Sequence, residues 1–121
     1  MSKKEEKTTA KKVQTFETGK DKKDSREQVE HAKRKLKENR NKPNEKVYES
    51  NLVEALRHLS QACFQDNQNA EAYSLRGTCY QEMSDYQRAL YDFTVAIKVE
   101  SDYLRANGGS NNKLAEYYRK F

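Results

Sequence analysis

The sequence lacks any long run of apolar residues: of its 121 residues, 36% are charged and only 34% are hydrophobic. A membrane-spanning helix needs roughly 18 consecutive apolar residues, and no stretch approaches that. The first residues, MSKKEE, also lack the apolar segment of a secretory signal peptide. We therefore expect no membrane association and a cytoplasmic location.

Residues that carry chemistry are also scarce, since the chain has two cysteines and two histidines. Cys63 and Cys79 form no CxxC pair and fall in predicted helices, which indicates reduced core residues. His31 and His58 have no catalytic motif beside them, and these four residues do not have the spacing of a zinc site. The sequence therefore predicts a protein that is not an enzyme and has neither a metal site nor a cofactor.

Charge is unevenly distributed, because the first fifty residues contain 16 Lys/Arg and 10 Asp/Glu, against 8 and 9 in the remainder. Only nine of those fifty are apolar, too few to offset the entropy cost of ordering them. Residues 1–49 are thus predicted to be a basic, mostly disordered arm that folding does not require. One helix is indicated within it, over residues 26–39, because Val29, Ala32 and Leu36 fall at helical spacing.

The basic arm contains a run of cations that are candidates for contacts with an acidic protein surface, a nuclear import receptor or nucleic acid: Lys33, Arg34, Lys35 and Lys37. A solvated arm without a partner explains the run equally well. The aromatic residues of the arm, Phe16 and Tyr48, are far apart, unlike the stacking residues of a single-strand nucleic-acid site. This separation argues against nucleic-acid binding.

Two segments repeat at a distance of 34 residues. Small and apolar positions of the first recur in the second: Ala55 as Ala89, Leu59 as Phe93, and Ala62 as Ala96. Ahead of the second copy, Tyr73, Gly77 and Tyr80 are spaced by four and three residues, which predicts a helix over Ala70–Met83. A second helix is predicted over Asp85–Glu100, with Ser84 and Asp85 capping its first turn.

This unit, Tyr73-x2-Arg76-Gly77-x2-Tyr80 followed by Ala89-x3-Phe93-x2-Ala96, resembles the tetratricopeptide repeat. The resemblance covers residues 51–101 and implies an all-α fold: a short stack of helix-turn-helix repeats, or α-solenoid fragment. Gly77 should allow close contact between the paired helices. Three positions depart from the family pattern, which usually has Trp, Leu and Pro where this chain has Tyr73, Arg76 and Ser101. The last two should weaken the repeat.

The resemblance ends on both sides of the repeats, which we place in a module spanning residues 50–121. At the expected offset, Pro43 would break a first helix before Asn51. Leu52, Leu56 and Leu59 should then be partly uncovered, which favours self-association. At the other end, Gly108-Gly109 interrupts the pattern, and a short terminal helix over residues 111–121 should close the stack.

The resemblance implies an adaptor that binds a helix or an extended peptide of another protein. In this family the first helix of each repeat lines the binding groove, which gives these candidates: Tyr73, Ser74, Gly77, Thr78 and Gln81. The alternative is a structural component of a cytoskeletal or ciliary (axonemal) assembly, which would place the protein at the cytoskeleton or the cilium. Nucleic-acid binding through the basic arm ranks below both.

Overall fold

The computed structural model describes residues 19–121, which form five α-helices and no strand in that range. The helices are α1 (Gly19–Asn39), α2 (Glu45–Gln65), α3 (Ala70–Glu82), α4 (Tyr86–Asn107) and α5 (Asn112–Tyr118). The all-α class and the helix-turn-helix repeat are confirmed. Of the predicted basic arm, residues 1–18 lie outside the described residues.

Helix α1 differs most from expectation, because residues 19–39 form one helix packed along α2. The helix indicated over residues 26–39 lies within α1, which begins earlier, at Gly19, so the part of the basic arm from residue 19 to residue 39 is helical in this structure. A narrow stripe of buried residues on α1 suffices because it packs against a row of buried residues on α2 that includes Leu52, Leu59 and Ala62. Val29 and Ala32 are 1% and 0% exposed. The buried Ser25 hydroxyl donates to the Ala62 carbonyl oxygen at 2.8 Å, so this polar residue adds to the stripe.

The first helix of the first repeat is therefore present, upstream of its expected position. Helix α4 begins at Tyr86, which corresponds to Leu52 at the 34-residue offset, whereas α2 begins seven residues earlier at Glu45. Pro43 lies between α1 and α2 and breaks no helix. Asn44 caps α2, its side chain accepting from the Val47 N–H at 2.9 Å.

The apolar stripe of α2 is covered from within the chain. Leu52 and Leu59 are 4% and 0% exposed, and the half-buried Leu56 packs against the same core. That core includes Val29 and Ala32 of α1, and Leu36 packs on its edge. The uncovered stripe expected from the sequence is therefore absent from residues 19–121, and with it the reason for predicting self-association.

The second helix pair matches its prediction closely. Gly77 makes the expected close contact, since a Cβ there would lie 2.6 Å from Cε1 of Phe93. The turn between α3 and α4 places Ser84 at φ 63°. The Asp85 N–H donates to the Tyr80 carbonyl oxygen at 2.8 Å, which closes the end of α3 as in a Schellman motif. The Asp85 side chain then caps α4.

The stack ends in a short helix, as predicted. Helix α4 runs on to Asn107, seven residues beyond the predicted Glu100, and Gly108 ends it with φ 77°. Helix α5 then folds back, burying Tyr117 against Ala70 and Ala96. None of the helices in residues 19–121 combines the length and the hydropathy that crossing a membrane requires.

Candidate protein-docking surface

The first helices of the two pairs, α1 and α3, lie next to each other and present one continuous surface, which we call the first-helix face. Its cations are spaced seven residues apart, with Arg26 and Lys33 on one side of α1 and Arg40 directly after the end of that helix. On α3 it carries residues at spacings of four, three and four: Glu71, Leu75, Thr78 and Glu82. All members of both rows are at least partly exposed, and the rows are in direct contact through Lys33 and Glu71.

The centre of the first-helix face is an ion pair between the two helices. Lys33 Nζ lies 2.6 Å from Glu71 Oε2, with the two side chains 41% and 37% exposed. The hydrogen bond to Glu71 raises the pKa of Lys33. At this exposure the pair contributes little to stability. It connects the side chains of α1 and α3 across the surface.

A pocket of about 370 Å³ lies on one side of this ion pair. Its lining includes Leu36 of α1, Arg40 directly after α1, Leu75 and Thr78 of α3, and Lys120 near the C-terminus. Lys120 Nζ donates to the Thr78 hydroxyl oxygen at 3.4 Å, so the end of the chain reaches the first-helix face. The pocket combines aliphatic walls with two cations.

A second pocket, of about 520 Å³, lies on the other side of the ion pair. It is enclosed by four helices, with Arg26 from α1, Glu71 from α3, Tyr103 from α4, and Lys113 and Tyr117 from α5 among its lining residues. The first-helix face therefore has two depressions separated by the Lys33–Glu71 bridge. Such a surface can accept successive side chains of a helix or of an extended segment.

The structure separates the predicted groove residues into three groups. Thr78 lines the first pocket, and Gln81 is exposed one turn further along α3. Ser74 is 3% exposed and Gly77 is buried against Phe93, so neither offers surface to a partner in this structure. Tyr73 lines a different pocket, beside Thr94 and Val95 of α4.

The predicted basic contacts are partly used inside the fold. Lys33 pairs with Glu71, and Lys35 pairs with Glu54 of α2 at 3.4 Å. The Arg34 guanidinium contacts the His31 ring. Lys37 is exposed in the last turn of α1, one helical turn from Lys33 and on the same side. These cations therefore stand on an ordered helix with a defined direction.

Arg76, which departs from the family pattern, has a partner that the sequence did not reveal. Its guanidinium forms two hydrogen bonds with Asp92 of α4, at 2.8 and 2.9 Å. The Arg76 side chain is 18% exposed and that of Asp92 is 1% exposed. The guanidinium also lies between the rings of Tyr73 and Tyr80, at 5.6 and 6.0 Å. The pairing with Asp92 therefore offsets the destabilisation of the repeat that an arginine at position 76 was expected to cause.

Sequence reasoning missed the contribution of Arg26, Arg40 and Lys120 to the first-helix face. Arg26 precedes Lys33 by seven residues, a spacing that places both on one side once residues 19–39 are taken as one helix, and Arg40 follows directly after that helix. Lys120 carries no such signal, because its approach to Thr78 depends on the direction in which α5 folds back. Among residues 19–121, no group of three or more His, Cys, Asp or Glu side chains converges to hold a metal ion.

Comparison with known proteins gives one informative similarity. The chain is 34% identical over 68 residues to stress-induced-phosphoprotein 1 of Caenorhabditis elegans. The aligned segment is 56% of this chain but 21% of that protein, so this chain spans about a fifth of the relative's length. No family model matches the chain, and no solved structure matches it. Together with the two helix pairs, the similarity supports a repeat module of the tetratricopeptide type.

Proposed function

We propose that this chain is a protein-interaction module that binds a helix or an extended segment of another protein on its first-helix face. The observation that carries the proposal is the pairing of two pockets across the Lys33–Glu71 bridge, on a surface built from the first helix of each repeat. The similarity to a longer protein fits a module of this kind. The proposed role is adaptor or scaffold, without catalysis.

The charges of the first-helix face indicate which partner residues it accepts. The 370 Å³ pocket has two cations, Arg40 and Lys120, and one carboxylate, Glu82. The 520 Å³ pocket has both signs of charge, with more carboxylates than cations: Arg26 and Lys113 against Asp66, Glu71, Glu100 and Asp102. Carboxylates of a partner would pair with Arg40 and Lys120, and an apolar side chain would enter beside Leu36 and Leu75. Such charge complementarity sets the orientation of a bound segment more than its affinity.

Site-specific photocrosslinking tests the proposal. The photoreactive amino acid p-benzoylphenylalanine is placed at Lys37 or Gln81, which are exposed on the first-helix side, and at Arg57 or Lys98 as controls. The control side chains are 67% and 74% exposed and lie on the second helices, α2 and α4. After irradiation in cells, the two first-helix positions should capture the same protein and the controls should not. Capture from the controls alone would contradict the proposal.

The alternative of a structural component in a cytoskeletal or ciliary assembly stays a prediction from the sequence. Nucleic-acid binding is weakened as a proposal by the pairing of Lys33 and Lys35 with acidic residues of the fold. Nucleic-acid binding predicts a steep loss of affinity as the salt concentration rises, because the contacts are made to phosphates. Gel-shift titrations at two salt concentrations therefore distinguish it from the adaptor role.

A further inference from the structure

The extra turns of α2 create a second concave surface that the 34-residue repeat alone would not provide. Residues 45–51 precede the position that corresponds to the start of α4. Together with the turn between α3 and α4, they enclose a pocket of about 500 Å³. The pocket borders the first-helix face, since Tyr48, Leu52 and Glu82 line this pocket and the 370 Å³ pocket alike. It opens, however, beside Val53 and Met83, which the other pocket does not include.

The pocket has an apolar interior that is open to a ligand. Leu52 contributes a buried surface, with 4% exposure. Val53 and Met83 are 57% and 42% exposed, so their apolar side chains stand in water on the two walls. Covering them would remove apolar area from solvent, which favours association. The volume of about 500 Å³ leaves room for one or two apolar side chains.

The charge of the pocket is entirely negative among the residues that line it. Glu45, Glu49 and Glu82 are its charged members, and within residues 19–121 no lysine or arginine lines it. The Tyr48 hydroxyl donates to Glu82 Oε1 at 2.5 Å, which holds that carboxylate in place. Three carboxylates around one opening repel one another unless a cation approaches. The local field is opposite in sign to the chain as a whole, whose net charge is +5.

We propose that this pocket binds a short basic segment of another protein, which inserts an anchor of one or two adjacent apolar side chains between Val53 and Met83. Lysine or arginine residues on either side of that anchor pair with Glu45, Glu49 and Glu82. The proposal does not depend on what the first-helix face binds. It follows from the combination of an apolar opening with carboxylates alone around it, which selects cationic partners over acidic ones.

Fluorescence anisotropy with the full chain tests this. The probe is a fluorescein-labelled peptide, GKKLFKRG, and the two comparison peptides are GEELFEEG, with reversed charge, and GKKSSKRG, without the apolar anchor. GKKLFKRG should bind at least about tenfold more tightly than either, because it alone combines cations with an anchor.

Matched protein variants locate the binding. Glu45→Gln combined with Glu49→Gln should weaken GKKLFKRG by about tenfold, the effect of two partly exposed ion pairs, and Val53→Ser should weaken it several-fold. The control, Glu27→Gln with Glu116→Gln, removes the same charge from exposed positions outside the pocket and should leave binding unchanged. All substituted residues are exposed, and a circular dichroism melt confirms that each variant is folded.

Three outcomes would overturn the proposal. Equal binding of GKKSSKRG would mean that charge alone attracts the probe. An equal loss in the control double variant would mean that net charge decides the affinity. Dimerisation of the unlabelled chain in sedimentation, abolished by the Glu45→Gln/Glu49→Gln pair, would show that a second copy of this chain occupies the pocket instead.

Discussion

The two helix pairs share a repeat pattern but differ in how far their second helices are covered. Leu52 in α2 is 4% exposed, while its counterpart at the 34-residue offset, Tyr86 in α4, is 64% exposed. Leu56 is half-buried, whereas its counterpart Leu90 is 53% exposed. Equivalent positions in the sequence therefore have different environments in the fold.

The difference arises from the helix that follows each pair. Helix α2 is followed by α3, and Leu52 lines one pocket together with Leu75 of α3. Helix α4 is followed by α5, which has seven residues. The C-terminal segment reaches Ala96 through Tyr117 and Phe93 through Phe121. The C-terminal segment leaves Leu90 and Tyr86 exposed. How far the second helix of a pair is buried therefore depends on the helix that follows the pair.

The largest expected effect comes from removing α1, because α1 covers the apolar stripe of α2 on the side away from the helix that follows it. Deleting residues 1–44 should abolish cooperative unfolding, because Leu52 and Leu59 lose the helix that covers them. This reverses the expectation from the sequence, in which the basic arm was dispensable for folding. Thermal circular dichroism and binding of an apolar dye measure the outcome. An unchanged midpoint would contradict the role given to α1.

The next effect concerns the ion pair inside the second helix pair. Arg76→Leu restores the residue usual in the family but leaves the Asp92 carboxylate, 1% exposed, without its partner. It should lower the free energy of unfolding by about 3–5 kcal/mol. Adding Asp92→Ala should recover part of that loss, because the unpaired charge is removed. Urea titrations of both variants measure this, and a double variant less stable than Arg76→Leu alone would argue against the compensation.

A smaller effect is expected at Gly77, the close contact of the second pair. Gly77→Ala places a Cβ 2.6 Å from the buried ring of Phe93. The ring cannot move freely, because it also packs edge-on against Phe121 at 6.0 Å. The cost of overpacking, about 1–3 kcal/mol, should exceed the gain in helix propensity of about 1 kcal/mol. Gln81→Ala, at an exposed position of the same helix, should be near neutral. A stabilised Gly77→Ala would show that the contact is looser than described.

The smallest expected effect is a pH dependence confined to the first pair. Burial lowers the pKa of His58 below its ordinary value of 6.5, and the charges of Arg57, His31 and Arg34 lower it further, against the opposing charge of Glu54. The neutral ring is therefore favoured in the fold. Its contribution to stability is complete above about pH 6.5, the unfolded pKa, and is lost as the pH falls through the lowered folded pKa.

The substitution His58→Gln isolates this effect. His58 Nδ1 lies 2.6 Å from Gln28 Oε1, and a glutamine amide can replace that contact without titrating. Unfolding titrations at pH 5 and pH 7.5 should show a smaller pH difference for the variant than for the native chain. Equal differences would assign the pH dependence to other groups.

Much of the second pair could be predicted from the sequence, because its signals are local. The spacing of Tyr73, Gly77 and Tyr80 indicated α3, and Asp85 indicated the cap of α4. The placement of Gly77 against Phe93 followed from the family pattern. These features depend on residues at most one helix-turn-helix apart.

The sequence was misleading for α1 because a count of apolar residues overlooks small and polar residues that pack. Ser25 and Ala32 are both 0% exposed, yet neither raises the hydrophobic content much. The ion pair of Arg76 with Asp92 was also missed, since each residue alone looks like a surface charge. Of the candidate site, Thr78 and Gln81 were placed on accessible surface, whereas Ser74 and Gly77 were not, because the family pattern does not tell which side of α3 is covered by α4 and α5.

Native-state hydrogen exchange tests the central claim most directly, which is that α1 is an integral first helix of the stack. The amides of Val29 and Ala32 should exchange as slowly as those of Leu59 and Ala62 in α2, with protection that tracks the global stability of the chain. Exchange of the α1 amides at the rate of an unfolded peptide, while α2 stays protected, would contradict the account.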